Sequence, residues 1–253
     1  MIGRIQPDER ALASILGRLS PLLKLGIAIA WFVALAFTTR IGPPLVIAAV
    51  TLVMAVVLGR VRPARLVSGL VPLLLIALSI GVFNALFAAV NSSPAAVEVL
   101  RLGPFRLTEP AIAAGAGLAA RVISVAAVGV AFAQTTDSTR LVDSLVQQGR
   151  LPERFAYGAL AAYQAVPRFG EDLATLRQAR RIRGLRGEWH PRVLVGLLVL
   201  AIRHGDRLAL AMDARGFGSG PRTRYREVRW TWLDALAVVV AVVVIVAAMA
   251  LPA

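Results

Sequence analysis

Two arginine-rich strings carry the side chains best suited to chemistry: Arg177-Gln-Ala-Arg180-Arg181-Ile-Arg183-Gly184 and Ala211-Met-Asp-Ala214-Arg215-Gly216-Phe217-Gly218. The chemistry is recognition, because a guanidinium is a planar fork of donors that suits carboxylates and backbone acceptors on a protein surface. On a helix Arg177, Arg180, Arg181 and Gly184 fall at i, i+3, i+4 and i+7, which is one face, and Arg183 lies on the last turn. Arg203, Arg207, Ala211 and Arg215 are spaced by four and form a slowly drifting stripe. Taken singly, each string reads as an ordinary helix stop: glycine ends the helix and a last-turn arginine complements the dipole, for under about 1 kcal/mol. Taken together they read as a paired docking device, since both close the same way within one segment.

Other chemistries lack their parts. With no cysteine in the chain, disulfides, thiolate metal sites and cysteine nucleophiles are excluded. Lys24 is the only lysine and belongs to no Gly-x-x-x-x-Gly-Lys-Ser/Thr loop, so ATP hydrolysis is expected in a partner. Neither His-Glu-x-x-His nor Gly-x-Ser-x-Gly occurs. Gly216-Phe-Gly-Ser-Gly220 follows a helix instead of a strand and reads as a helix exit and turn. Asp213-Ala-Arg-Gly resembles part of a lipid-phosphate transferase signature, but the further metal-binding aspartates are missing downstream. His190 and His204 have no carboxylate spacing of a metal site and read as non-ligands.

The elements that must position these arginines are mostly membrane spans. Hydrophobic residues make up 58% of the 253 and the mean hydropathy is +0.73. Apolar stretches near 22–39, 41–59, 66–90, 111–134 and 231–251 are each about long enough to cross a bilayer as helix. The expected fold is therefore an all-α integral membrane protein: four spans over 1–134, a cytoplasmic insert of amphipathic helices over 135–229, and a last span over 230–253. Gly42-Pro43-Pro44 forces a tight hairpin between spans one and two. Arg60, Arg62 and Arg65 between spans two and three place the N-terminus in the cytoplasm and the C-terminus outside, with Trp230 and Trp232 as an interfacial anchor. Met1 to Ser20 lacks the pattern of a signal peptide. The net charge of +14 and pI near 11.7 belong to the insert and the cytoplasmic loops. Nucleic acid is not the expected partner, because no stacking-aromatic pattern accompanies the charge.

Within the insert Leu151, Phe155, Ala159, Tyr163 and Val166 recur at helical steps, which predicts a helix with one apolar face lying along the interface. Pro167 is expected to break or kink it. Val193 to Ile202 is apolar but about half a span long, and reads as a packed or re-entrant segment. Arg121 within span four has either a bundle-facing partner or a place near the span's edge. Asn84 is expected to make a helix-packing hydrogen bond, and Asp234 to pair with insert arginines.

The order of these motifs resembles the transmembrane T component of energy-coupling factor (ECF) transporters, whose signature is a pair of Ala-Arg-Gly motifs ending two coupling helices. Ala214-Arg215-Gly216 matches the second motif intact, and Ile182-Arg183-Gly184 stands at the first with isoleucine in place of alanine; Leu185-Arg186-Gly187 is a competing frame. Leu16-Gly-Arg-Leu-Ser20-Pro21-Leu-Leu-Lys24-Leu25 resembles the family's Leu-x-Arg-Leu-Asp-Pro-x-x-Lys-Leu, with Ser20 at the aspartate position. The resemblance runs over essentially the whole chain. It implies that this is no enzyme but a scaffold in a bacterial cell (inner) membrane, gripped by two ABC-type ATPase subunits through Arg183, Gly184, Ala214, Arg215 and Gly216, with Arg180, Arg181 and Arg207 in support. It implies no cofactor on this chain, ATP and magnesium in the ATPases, and a small membrane S component that binds a micronutrient, a vitamin or else cobalt or nickel ions. Small residues such as Ala161, Ala162, Ala165 and Gly196 would let the coupling helices slide against that component. The rival functions are a conventional ABC importer permease, which would present one coupling segment, and a membrane-embedded lipid-modifying enzyme.

Overall fold

The computed structural model describes residues 9–38, 40–92, 97–102, 105–185, 190–220 and 226–250. The competing motif frame at Arg186-Gly187 lies outside them. The described chain is almost wholly helical, in two compact units: residues 1–137 with 229–253, and residues 138–228.

In the first unit two short helices, α1 (Glu9–Leu12) and α2 (Ile15–Arg18), precede α3 (Pro21–Ala36), α4 (Gly42–Val57), α5 (Pro63–Leu86) and α6 (Glu109–Thr135). Prolines in their first turns start α3 to α6, where no intrahelical donor is lost and φ is already set. The five expected apolar helices are all present, the last of them close to the C-terminus. Two are shorter than a span: α3 and α4 have 16 residues each, about 24 Å at 1.5 Å per residue, against a hydrocarbon core of about 30 Å. Between α5 and α6 the expected loop contains an antiparallel hairpin of β1 (Glu98–Leu102) and β2 (Phe105–Thr108). Asn91 anchors it: its Nδ2 donates to the carbonyls of Ala85 and Leu86 at the end of α5, while its Oδ1 accepts from the Thr108 amide and hydroxyl.

Helices α5 and α6 pack most closely, through glycines. A Cβ at Gly81 would lie 2.9 Å from the Ala119 methyl and 3.0 Å from the Gly115 carbonyl oxygen, and one at Gly115 would press on the Gly81 carbonyl. Without water to drive association, such close backbone approach and its dispersion contacts hold membrane helices together. Gly115→Leu is therefore expected to separate the pair and lower the melting temperature in detergent, while Gly129→Leu, at a position open to at least 4 Å, leaves it unchanged.

Helix α7 (Ser138–Gln147) opens the second unit, followed by α8 (Glu153–Ile182) and α9 (Pro191–Ala214); α10 (Trp232–Ala250) returns to the first. Trp31, Leu35, Ile47, Val128, Ala241 and Ala248 form a core joining α3, α4, α6 and α10. Polar side chains pin its ends. Lys24 Nζ donates to the Thr135 carbonyl at 2.8 Å, Trp31 Nε1 to that of Ala241 at 3.2 Å, and Arg121 Nη2 to that of Thr38 just beyond α3. Arg121 thus has a partner in the bundle, an uncapped carbonyl at the negative end of a helix.

Two expectations are corrected and a third is narrowed. Asn84 is exposed and its side chain makes no hydrogen bond among the described residues; the packing amide of this region is Asn91. Asp234, 2% exposed, pairs with no arginine among the described residues: its carboxylate accepts from the Ser20 amide at 2.8 Å and from the Thr231 amide and hydroxyl at 2.8 and 2.9 Å. Pro167 does not break α8, which runs through it; the carbonyl deprived of its donor belongs to Tyr163, and both residues are exposed, so outside groups can satisfy it.

Candidate functional site

Both arginine strings end in the same backbone device. At the end of α8 the Gly184 amide donates to the Arg181 carbonyl at 3.0 Å and the Leu185 amide to that of Arg180 at 3.2 Å. At the end of α9 the Gly216 amide donates to Asp213 at 2.8 Å and the Phe217 amide to Met212 at 3.0 Å. These are Schellman caps, with glycine at the left-handed position (φ +69 at Gly184, +65 at Gly216) and arginine one residue before it, at the C-cap. Glycine is required there because a Cβ at positive φ meets the following carbonyl. The caps set the direction in which the chain leaves each helix, and Arg183 and Arg215 stand exposed at equivalent points of two equal frames.

The supporting residues differ in what they contribute. Arg180 and Arg181 give their carbonyls to the first cap, and the Arg180 side chain is half-buried while that of Arg181 is exposed. Arg207 is exposed two turns before Arg215 on α9, and Ala214, the last helical residue, is exposed beside it.

The two tips do not come together. Contacts between α8 and the α9 segment run from Arg154 with Gly218, through Tyr157 with Phe217 and Phe169 with His204, to Leu176 with Gly196. As the residue number rises along α8 it falls along α9, so the helices are antiparallel and their C-terminal ends point apart. The tips are thereby separated by roughly the length of the 24-residue α9, about 36 Å. This is too far for one small ligand, and suits two separate contacts.

Between the tips the pair is unusually apolar on its surface. On α9 Leu194, Val195, Leu198, Val199 and Ile202 are exposed, and only Val193 of the helix is buried. The stretch expected to be packed is therefore open within its unit; it is the first half of a longer helix whose second half is polar. On α8 Phe155, Ala159, Tyr163 and Val166 line an exposed face at the predicted spacing. Contiguous apolar surface of this kind marks an interaction face. His190 accepts from the Arg192 amide as N-cap of α9, and His204 meets the Phe169 ring edge-on at 6.4 Å.

The family model for CbiQ, described as cobalt transport protein, matches residues 13–225, a stretch that includes both caps. The chain belongs to the CbiQ/EcfT family. It is 29% identical over 248 residues to the energy-coupling factor transporter transmembrane protein EcfT of Limosilactobacillus fermentum, covering 90% of each chain, and 26% identical to that of Bacillus subtilis, over 94% of this chain and 93% of the relative. A putative ABC transporter ATP-binding protein of Bifidobacterium longum is 27% identical over 92% of this chain, which spans 32% of that longer protein. As a CbiQ/EcfT protein the chain is a membrane component of an energy-coupling factor transporter.

Sequence reading of this family member missed the residues that hold the second tip. Phe217 stacks edge-on against Tyr157, with centroids 6.5 Å apart and planes at 80°, and Tyr157 donates its hydroxyl to Asp143 Oδ1 at 2.9 Å. Arg154 Nη2 donates to the Gly218 carbonyl at 3.0 Å. Gln147 of α7 and Gln148 just after it clamp the returning segment: Gln147 donates to the Arg226 carbonyl and accepts from the Val228 amide, and Gln148 donates to the Val228 carbonyl. The available signal was the aromatic residue after the capping glycine, where a hydrophobic contact usually accompanies this cap.

Proposed function

We propose that this protein is the coupling scaffold of an ECF-type ABC importer. Two ATPase subunits grip the Arg183 and Arg215 tips in surface grooves, and their ATP-driven closure moves the α8–α9 pair. A small membrane S component lies on the exposed apolar faces of that pair and carries a micronutrient, a vitamin or else a cobalt or nickel ion. ATP and magnesium belong to the ATPases. The insert and the N-terminus face the cytoplasm and the C-terminus lies outside.

The observation that carries the reading is the pair of matching Arg-Gly caps at opposite ends of one antiparallel helix pair. A single docking partner would need one such tip; two copies about 36 Å apart serve two partners acting on one lever. The Bifidobacterium longum relative supports the pairing with an ATPase, since it is named as an ATP-binding protein and this chain matches 32% of it. The apolar face between the tips supports a membrane partner, because small and aliphatic residues allow contact without fixed polar registration.

Purification of the tagged chain from its native membrane, followed by identification of what comes with it, tests the reading. ABC-type ATPases and a small hydrophobic protein are expected in stable proportion. Recovery of the chain alone, with turnover of a lipid, would overturn it.

A further inference from the structure

The two caps have the same backbone, yet their surroundings differ. Around the second, Phe217 rests on the Tyr157 ring, the Tyr157 hydroxyl is fixed by the buried carboxylate of Asp143, and Arg154 lies across Gly218. Gly218 has φ +80, and a Cβ there would collide with Arg154 Nε, so the close approach depends on its being glycine. Asp143 and Gln147 share α7, which ties the brace to the chain segment at Arg226 to Val228 as well. Around the first cap Ile182, Arg183, Gly184 and Leu185 are all exposed, Ile182 to 87%, and a Cβ at Gly184 would meet nothing within 4 Å.

We infer that the two docking tips are mechanically unequal: Tyr157 is a positioning residue that presets the Arg215 tip, whereas the Arg183 tip is held by its backbone cap and settles when a partner closes on it. A preset tip binds without the ordering cost that a mobile one carries, so the Arg215 end is the fixed anchor of the lever and the Arg183 end the compliant one. The inference rests on the docking role proposed above. It also changes what that role requires, since two ATPases of the same kind would meet two ends of different stiffness.

The natural absence of cysteine allows a clean test on the full chain in lipid nanodiscs. Nitroxides on Ile182→Cys and Ala214→Cys sit at equivalent positions, the last helical residue before each cap. With no ATPase present, the label at 214 is expected to move more slowly than that at 182. Tyr157→Ala should release the label at 214 and leave that at 182 unchanged. An aromatic edge contact and a hydrogen bond to a carboxylate together correspond to about a tenfold change in the ratio of held to released tip. Tyr157→Phe, which keeps the ring, should fall between, and Asp143→Asn, which keeps an acceptor for the hydroxyl, should stay near the parent. If Tyr157→Ala does not fold, Phe217→Leu removes the same ring contact. Equal motion at both labels in the parent, or equal loosening at both in the variants, overturns the inference. Adding ATPase should then slow the label at 182 and alter that at 214 little. If neither label responds to ATPase while the brace variants act as described, the docking role fails and the bracing stands.

Discussion

Replacing both Arg183 and Arg215 by alanine is expected to abolish stable association with the ATPase subunits and, with it, uptake. Each guanidinium stands exposed at the end of a capped helix, the position from which it would enter a partner's groove. Truncating one side of a buried charge pair typically costs about 2–5 kcal/mol, which is roughly thirtyfold to several-thousandfold in affinity. Because one scaffold presents both tips, a complex held at one end keeps the other ATPase at high effective concentration, so single variants should lose less than the double. Arg215→Lys is expected to lie between Arg215→Ala and the parent, since lysine keeps the charge but not the planar fork. Titration of ATPase onto the scaffold in nanodiscs reads all of these. Arg203→Ala, at an exposed arginine on α9 away from either tip, is the control and should change affinity by less than about threefold. Unchanged affinity in the double variant would remove the docking role altogether.

The elements bearing these tips were legible because their signals are local. Proline starts four of the helices in the membrane unit and glycine ends both α8 and α9, and these residues act through their own φ angles and the turn they sit in. Periodicity likewise placed the exposed face of α8 at Phe155, Tyr163 and Val166. What sequence did not disclose depends on residues distant in the chain. Asn84 and Asn91 are both amides near an apolar run, and only the folded hairpin brings Thr108 to one of them. Tyr157, Asp143 and Arg154 carry no motif; they matter because antiparallel packing of α8 on α9 brings them to the residues after Arg215. Their role is geometric, so spacing along the chain does not encode it. The effect of Pro167 depends on a related circumstance. Proline removes one hydrogen bond, and whether that ends a helix depends on whether the orphaned carbonyl is exposed, which sequence does not state.

Asp234→Ala is expected to destabilise the membrane unit more than any other single change to its polar residues. The carboxylate joins two helix starts, reaching a residue 214 positions away in the chain: its Oδ1 takes the Ser20 amide before α3, and its Oδ2 takes the amide and hydroxyl of Thr231 before α10. The ECF-family pattern has an aspartate at the position of Ser20, and here the Ser20 side chain makes no cap bond to α3, so the carboxylate at this corner comes from the other helix. Removing it leaves the Ser20 amide buried without an acceptor, for about 1–3 kcal/mol, and also forfeits the bonds to Thr231, whose exposed position allows partial replacement by water. The sum is about 2–4 kcal/mol, or a fall of roughly 5–15 °C in the apparent melting temperature in detergent. Asp234→Asn keeps one acceptor oxygen and should lose about half as much. Thr231→Val, which removes only the hydroxyl bond, should lose least. This ordering separates the corner from a salt bridge to the insert arginines: a carboxylate held by backbone amides gives a loss that is insensitive to salt, whereas exposed ion pairs weaken as salt rises. A loss that vanishes at high salt, or an Asp234→Ala protein as stable as the parent, would show that α3 and α10 are joined by their apolar faces alone.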